Sequence, residues 1–160
     1  MKVWTIAVGR PGQDLAAPIG AYEERAGRYW KMETLEVRAG AHGGGQTATD
    51  VRTAEGERIL ERLPDGVEVI ALSRAGESWN SRALAQHMDG HRLYGRPGSA
   101  FVIGGAYGLA LSVLERADVQ LSLSAMTLPH DFARLVVLEQ IYRAGTILRG
   151  EPYHKGPEGA

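Results

Sequence analysis

The chain has no cysteine among its 160 residues. That absence excludes disulfide scaffolds, thiolate zinc sites, iron–sulfur clusters and cysteine nucleophiles. Long hydrophobic runs are missing too: none approaches the roughly 18 residues that a membrane-spanning helix needs, and the apolar stretch in the opening MKVWTIAVGRPG is too short for a signal peptide. No membrane partner and a cytoplasmic location are therefore expected. Nor is there an excess of one charge. Lys and Arg number 18 against 19 Asp and Glu, a net charge of −1, so no global basic field draws in nucleic acid. Any contact with RNA or DNA must come from a local patch. What is present, 44% hydrophobic and 23% charged residues, suits one compact domain over 1–160. At this length folding buries about two-thirds of the unfolded surface, so neither a disulfide nor a structural metal is needed for stability.

Apolar and polar residues alternate in blocks along the chain. Lys2 to Gly9 reads as a buried strand stopped by Arg10-Pro11-Gly12, and Asp14 can cap a helix whose Leu15, Ile19, Tyr22 and Ala26 recur every three or four residues. Thr34 to Arg38 forms a second short strand with Leu35 and Val37 on one face. Ala39 to Thr49 holds four glycines and reads as a loop, after which Thr49 or Asp50 can cap a helix reaching Leu63 and ended by Pro64-Asp65-Gly66. Val67 to Leu72 is a strand, Ser81 to His91 a helix, Ala100 to Ile103 a strand. Leu109 to Arg116 is a short helix, Val119 to Leu123 a fifth strand and Asp131 to Arg149 a long amphipathic helix. This alternation predicts a single α/β domain with a mostly parallel sheet covered on both faces. The last eleven residues, GEPYHKGPEGA, form a tail.

In an open α/β sheet, ligands bind beyond the carboxyl ends of the strands. Three such ends stand out: Leu72-Ser73, the stretch from Gly104 to Leu109, and the stretch from Ser124 to His130. Paired glycines after a buried strand permit a tight turn or close approach of a ligand to the backbone. GGAYG is neither a dinucleotide fingerprint nor a P-loop. The third loop mixes Ser124, Ala125 and Thr127 with Met126 and Leu128, a composition suited to a ligand with an aromatic ring and a few backbone hydrogen bonds, or to a strand end whose hydroxyls cap the next helix.

Other constellations carry less. His87 and His91 have the i, i+4 spacing of a zinc helix, but the Glu of the metalloprotease motif is missing and Gly90 weakens the helix, so a solvated helix end is expected and no metal. Ser124, His130 and Asp131 could form a triad on paper, without the nucleophile elbow that would support it. Glu23, Glu24, Glu55 and Glu57, among Arg25, Arg28, Arg52 and Arg58, read as solvated helix faces. Near the end, Tyr142-Arg143, Arg149 and Pro152-Tyr153-His154-Lys155 gather cations, aromatic rings and an imidazole. These suit stacking and ionic contact with a single-stranded nucleotide, or else a disordered polar tail.

IGGAYGL, LSLSAMTLPHDFARLVVLEQIYRA and the terminal PYHK together resemble the SPOUT-class RNA methyltransferases, and more narrowly their RlmH type. The opening KVWTIAVG and the overall length fit as well. The resemblance implies an S-adenosyl-L-methionine-dependent enzyme that methylates N3 of a pseudouridine in the helix 69 loop of 23S rRNA, acting on rRNA held within the assembled ribosome. It further implies a homodimer and a trefoil knot in the carboxyl-terminal half, a feature that pattern reading would not propose. By position, Leu72, Gly104, Leu123, Ser124, Ala125, Met126, Thr127 and Leu128 correspond to the cofactor site. His130, Arg143, Tyr153 and His154 correspond to the catalytic residues, with His154 as candidate base. Two departures are visible. Gly104 to Gly108 stands where a common family form reads Gly-Gly-Pro-Glu-Gly, removing a carboxylate, and Lys155 replaces an Arg, keeping the charge without the bidentate fork. Alternative readings are a SPOUT enzyme acting on a ribose 2′-oxygen or a tRNA base, or a nucleotide-binding module without catalysis. The last helix shows Phe132, Leu135, Val136, Leu138, Ile141, Tyr142 and Ile147, an apolar surface wider than one small sheet needs, which suits either a buried core helix or a twofold interface.

Overall fold

Strand β1 (Lys2–Val8) is flanked by β2 (Lys31–Val37) on one side and β4 (Gly98–Ile103) on the other, and β3 (Glu68–Ser78) and β5 (Val119–Ser122) complete the order β2-β1-β4-β3-β5. All pairings are parallel, as the block alternation predicts. The computed structural model describes residues 1–93 and 95–157, so the last three residues of the predicted tail lie outside the described residues. Side chains alternate across the sheet with period two. Val3, Ala7, Ile70, Phe101 and Ile103 meet the helices α1 (Gln13–Ala26), α3 (Ser81–Leu93) and α5 (His130–Leu148). Trp4, Ile6, Val69, Ala100 and Val102 meet α2 (Ala48–Arg62) and α4 (Leu111–Arg116) on the opposite face. Every residue of β4 is buried, as expected of a parallel strand covered on both sides.

Several sequence expectations are corrected by the fold. Gly12, not Asp14, occupies the N-cap of α1, and Asp14 lies in the first turn, where its charge suits the helix dipole. The cap of α2 is Thr47 rather than Thr49 or Asp50; Asp50 closes a reciprocal capping box with it. β2 begins at Lys31 because Lys31 to Glu33 pair with Lys2 to Trp4, an extension imposed by the ladder and not by local pattern. β3 continues past its apolar run to Ser78, since Glu77 and Ser78 pair with β5 a second time after the register shifts. Glu55 is no solvated face: it is buried, and Oε1 accepts a hydrogen bond from the Gly40 backbone N–H at 2.9 Å. His87 and His91 do not end in solvent either. Both imidazoles turn onto Glu68, which is 3% exposed.

The long helix α5 is held at both ends. Buried Arg134 bridges Glu36 at 2.9 Å and Glu23 at 3.2 Å, and the Trp30 indole donates to the Ile141 carbonyl at 3.0 Å. At its far end Gly145 lets α5 lie against Tyr29: an added Cβ would come within 2.4 Å of Tyr29 Cγ. Tyr29 then donates to Glu151, whose N–H returns to the Thr146 carbonyl at 2.9 Å. The start of the tail is thus folded back on the helix and not a free polar extension. Among the described residues no helix is long and apolar enough to cross a membrane.

Candidate active site

The chain folds so that three strand ends open at one edge of the sheet. β4 stops at Ile103, and Gly104 and Gly105 follow directly. Gly104 is confined, since an added Cβ would lie 2.8 Å from the Gly108 carbonyl carbon. Gly108 takes a φ of +80°, a left-handed conformation open to glycine without strain, and an isolated antiparallel bridge joins it to Gly105. The Arg52 guanidinium donates to the Tyr107 carbonyl at 3.4 Å, tying α2 to the loop. Across from this turn, Ser124 Oγ accepts the Met126 N–H at 3.0 Å, and Arg74 donates to Thr127 Oγ1 at 2.6 Å.

Between the loops lie two adjoining hollows of about 360 and 500 Å³ that share Leu72, Ala106, Gly108, Thr127, Leu128 and Ala133. Of the eight residues that the sequence puts at a cofactor site, Leu72, Gly104, Leu123, Ser124, Met126, Thr127 and Leu128 line one or both. Ala125 is exposed and lines neither. His130 lines the larger hollow, its Nε2 3.3 Å from Asp131 Oδ1, while Asp131 Oδ2 accepts the Gly12 N–H at 2.6 Å. Ser124 and His130 form no nucleophile–base pair, and Ser124 is occupied in its own turn. Among the described residues neither hollow has a carboxylate in its walls, and Arg74 is the lysine or arginine they include.

Arg143, Tyr153 and His154 come together elsewhere. Arg143 is paired with Glu139 one turn earlier on α5, and that contact raises its already high pKa further. Its guanidinium carbon lies 4.7 Å from the centre of the Tyr153 ring, a cation–π contact. The Tyr153 hydroxyl donates to Glu139 Oε1 at 2.9 Å, and burial, followed by hydrogen bonding with Tyr22 and Glu139, pushes this phenol well above its ordinary range. Arg143 Nη1 approaches His154 Nδ1 at 3.3 Å. A guanidinium cannot accept, so Nδ1 is the acceptor and the hydrogen of a neutral ring sits on Nε2. None of these three residues lines the crevice. His154 borders a separate hollow of about 330 Å³, which shares Leu121 and Leu123 with the crevice but opens beside Trp79, Val136 and Gln140.

Sequence reasoning missed Arg74 and Glu139. Arg74 stands two residues beyond a recognised strand end, and Glu139 precedes Arg143 by four residues on a predicted helix, so simple spacing could have found both.

Residues 1–154 match a family model described as "Predicted SPOUT methyltransferase". The chain belongs to the SPOUT methyltransferases. Among relatives of this SPOUT chain, the Ribosomal RNA large subunit methyltransferase H of Gemmatimonas aurantiaca is 46% identical over 156 residues, covering 97% of this chain and 100% of that protein. The protein of the same name from an Anaeromyxobacter species is 48% identical over 157 residues, covering 97% and 100%. These relatives bear out the RlmH-type resemblance. A probable methyltransferase of known structure from Bordetella pertussis Tohama I matches with a TM-score of 0.51 at 16% identity, covering 89% of this chain and 95% of that one; at such identity the likeness is one of fold.

Proposed function

We propose that this SPOUT chain transfers a methyl group from S-adenosyl-L-methionine to N3 of a pseudouridine in the helix 69 loop of 23S rRNA, working in the cytoplasm as a homodimer. The observation that carries the reading is the carboxylate-free crevice at the carboxyl ends of β3, β4 and β5, formed by the residues that the family resemblance assigns to the cofactor. Leu72, Leu123 and Leu128 offer apolar walls for an adenine ring, and the turns at 104–108 and 124–128 offer backbone groups for its polar edge. Arg74 is the cation available for a carboxylate. When bound, the donor supplies an electrophilic sulfonium methyl, which leaves the protein to align the substrates and manage one proton.

Arg143, Tyr153, His154 and Lys155 are the candidates for the RNA side. An imino nitrogen of a uracil-type ring is largely protonated at neutral pH, so a base or a positive field must help it ionise. In the present arrangement the lone pair of His154 Nδ1 is directed at Arg143. A phosphate that draws Arg143 away would end that contact and leave His154 the candidate to take the proton, while Tyr153 offers its ring for stacking. His130, at the mouth of the crevice, is placed to position a ligand.

Because the tail residues lie outside the crevice of their own chain, we assign them to the crevice of a partner copy. Exposed Met126, Phe132 and Val136, at 79, 51 and 37%, supply an apolar surface for the contact. The proposed knot finds support in the second pairing of β3 with β5 and in Gly76, where an added Cβ would lie 2.5 Å from the Gln120 backbone.

The test is transfer of labelled methyl from S-adenosyl-L-methionine to ribosomes or 23S rRNA lacking the modification, with the product nucleotide mapped by mass spectrometry. Label on a ribose or on tRNA would redirect the assignment within the family, and cofactor binding without transfer would favour a binding module. Mixing tail-deleted chains (lacking Pro152 onward) with Gly104→Trp chains should restore partial activity; inactive mixtures with proven heterodimers would refute the shared site.

A further inference from the structure

At the edge of the sheet opposite the crevice, Glu68 begins β3 and Ser99 lies near the start of β4, with α3 packed over both. His87 and His91, one turn apart on α3, direct their Nε2 atoms at the Glu68 carboxylate, 2.8 Å from Oε1 and 2.5 Å from Oε2. The two Nε2 atoms are 3.2 Å apart. We propose that Glu68, His87 and His91 form a binding site for a divalent transition ion of the zinc, cobalt or nickel class, separate from the methyl-transfer site.

Geometry is the first argument. Ligands about 2.0–2.1 Å from a tetrahedral ion are about 3.3 Å from one another. The histidine nitrogens already have that separation, and the carboxylate needs to retreat by only a fraction of an ångström to admit an ion between the three. Chemistry is the second. Two imidazoles and one carboxylate suit borderline ions, and neither magnesium nor calcium favours such a set. Electrostatics is the third. Glu68 is almost wholly buried, and its ion-pair partners among the described residues are these two imidazoles. A cation shared by all three resolves that burial.

Supporting contacts hold the ligands in place. Ser99 Oγ donates to Glu68 Oε2 at 3.1 Å, and the Trp79 ring packs on His87 with centroids 4.6 Å apart. The His87 side chain keeps 28% exposure, which leaves an entry path and room for a water as fourth ligand. His91 Nδ1 is buried without a hydrogen-bond partner. Metal-bound histidines normally donate from the second nitrogen, and losing such a bond weakens binding about 10–100-fold, so the affinity should fall short of a fully supported structural zinc site. The ion would pin α3 to the starts of β3 and β4.

The test uses the full chain stripped with chelator and titrated with cobalt(II), read by visible absorption and by quenching of tryptophan emission, with zinc as competitor. A single saturable site that zinc displaces is expected. His87→Gln and His91→Gln should each weaken it more than 100-fold, beyond the range of supporting residues, and His42→Gln, at the distant glycine loop, should not. X-ray absorption of the zinc-loaded native chain should show two imidazoles and oxygen, a readout independent of whether variants fold. Absence of saturable binding, which would leave a hydrogen-bonded triad only, overturns the proposal. So does a coordination shell without two imidazoles, or cobalt binding unchanged in folded His87→Gln and His91→Gln chains.

Discussion

Substituting Glu139 by Gln removes one charge and keeps the shape of the side chain. The carboxylate accepts from Tyr153 at 2.9 Å and from Gln140 at 2.7 Å, and it forms the ion pair with Arg143. The Arg143 and Glu139 side chains remain 24 and 18% exposed, so water replaces part of what is lost. A hydrogen bond to a charged group contributes about 1.5–3 kcal/mol, whereas an exposed i, i+4 pair contributes about 0.3–0.5 kcal/mol. A mostly buried pair falls between these limits. Glu139→Gln should therefore cost about 1 kcal/mol in urea denaturation, and Glu139→Ala about 2 kcal/mol, because Ala also leaves the Tyr153 hydroxyl without its acceptor. In a double-mutant cycle with Tyr153→Phe, the two positions should couple by about 0.5–1 kcal/mol. Methyl transfer by Glu139→Gln should fall by about tenfold or more in kcat as Arg143 and Tyr153 lose their setting, equivalent to about 1.4 kcal/mol at the barrier. Adenosylmethionine affinity by calorimetry should hold, since the clamp lies outside the crevice. Additive stabilities within about 0.3 kcal/mol would refute the contact argument. An unchanged kcat alongside the expected loss of stability would reduce the clamp to a structural role.

Gly145→Ala places a Cβ 2.4 Å from Tyr29 Cγ, and the overpacking, about 1–3 kcal/mol, should outweigh the gain of about 1 kcal/mol in helix propensity; the urea midpoint should drop. Tyr29→Phe tests a titration. The hydrogen bond to Glu151 is the main cause that pushes the Tyr29 phenol from 10.0 up to about 12. A raised phenol stabilises the fold fully below its unfolded value, and that contribution is lost as pH rises from 10 through 12, so Tyr29→Phe should flatten the fall of stability across that window. An unaltered slope would contradict the assignment. Gly104→Ala should lower adenosylmethionine affinity about tenfold or more, matching 1–3 kcal/mol of strain, with the circular-dichroism spectrum retained; undiminished binding would remove the 104–108 turn from the cofactor site.

The layer order was legible because parallel strands buried on both faces leave short continuous apolar runs, and β1 and β4 are such runs. The polar half of β3 was not legible. SRAGES has no apolar period, and its extended form comes from pairing with a strand more than forty residues away. The cap of α2 was missed by two or three residues because several residues of the right chemistry, Thr47, Thr49 and Asp50, compete within a single turn. The crevice was readable twice, from the strand-end rule and from the family resemblance, since both rest on contiguous segments. The Glu68 cluster was unreadable for the opposite reason. Its histidines share a helix turn, but the carboxylate that turns a solvated pair into a buried constellation comes from a strand nineteen residues earlier. Glu55 was misread in the same way. Helical spacing put it among charged neighbours, and only the folded loop at Gly40 and Gly105 encloses it.

A net charge of −1 poses a physical problem for an enzyme proposed to act on RNA, and the topology supplies an answer. In a parallel sheet all carboxyl ends lie at one edge, so residues that immediately follow strands collect there whatever their separation in sequence. Arg10 follows β1 by two residues, 92% exposed at its side chain and 3.9 Å from Glu36, Arg38 directly follows β2, and Arg74 lies in the extension of β3 beside the crevice. At the opposite edge Lys2 is paired with Glu33, and Arg116 and Arg96 both face Asp118. The carboxyl-end edge thus carries three arginines, of which Arg74 lines the crevice. Coulomb interactions between exposed charges are screened within about 8–10 Å at physiological salt, so a phosphate at the crevice responds to the local arginines and hardly at all to the carboxylates on the far side. The even composition that argues against a global nucleic-acid field is therefore compatible with a local one. Strand order sets Arg74 beside the crevice, and the tail cations of a second copy would add to it.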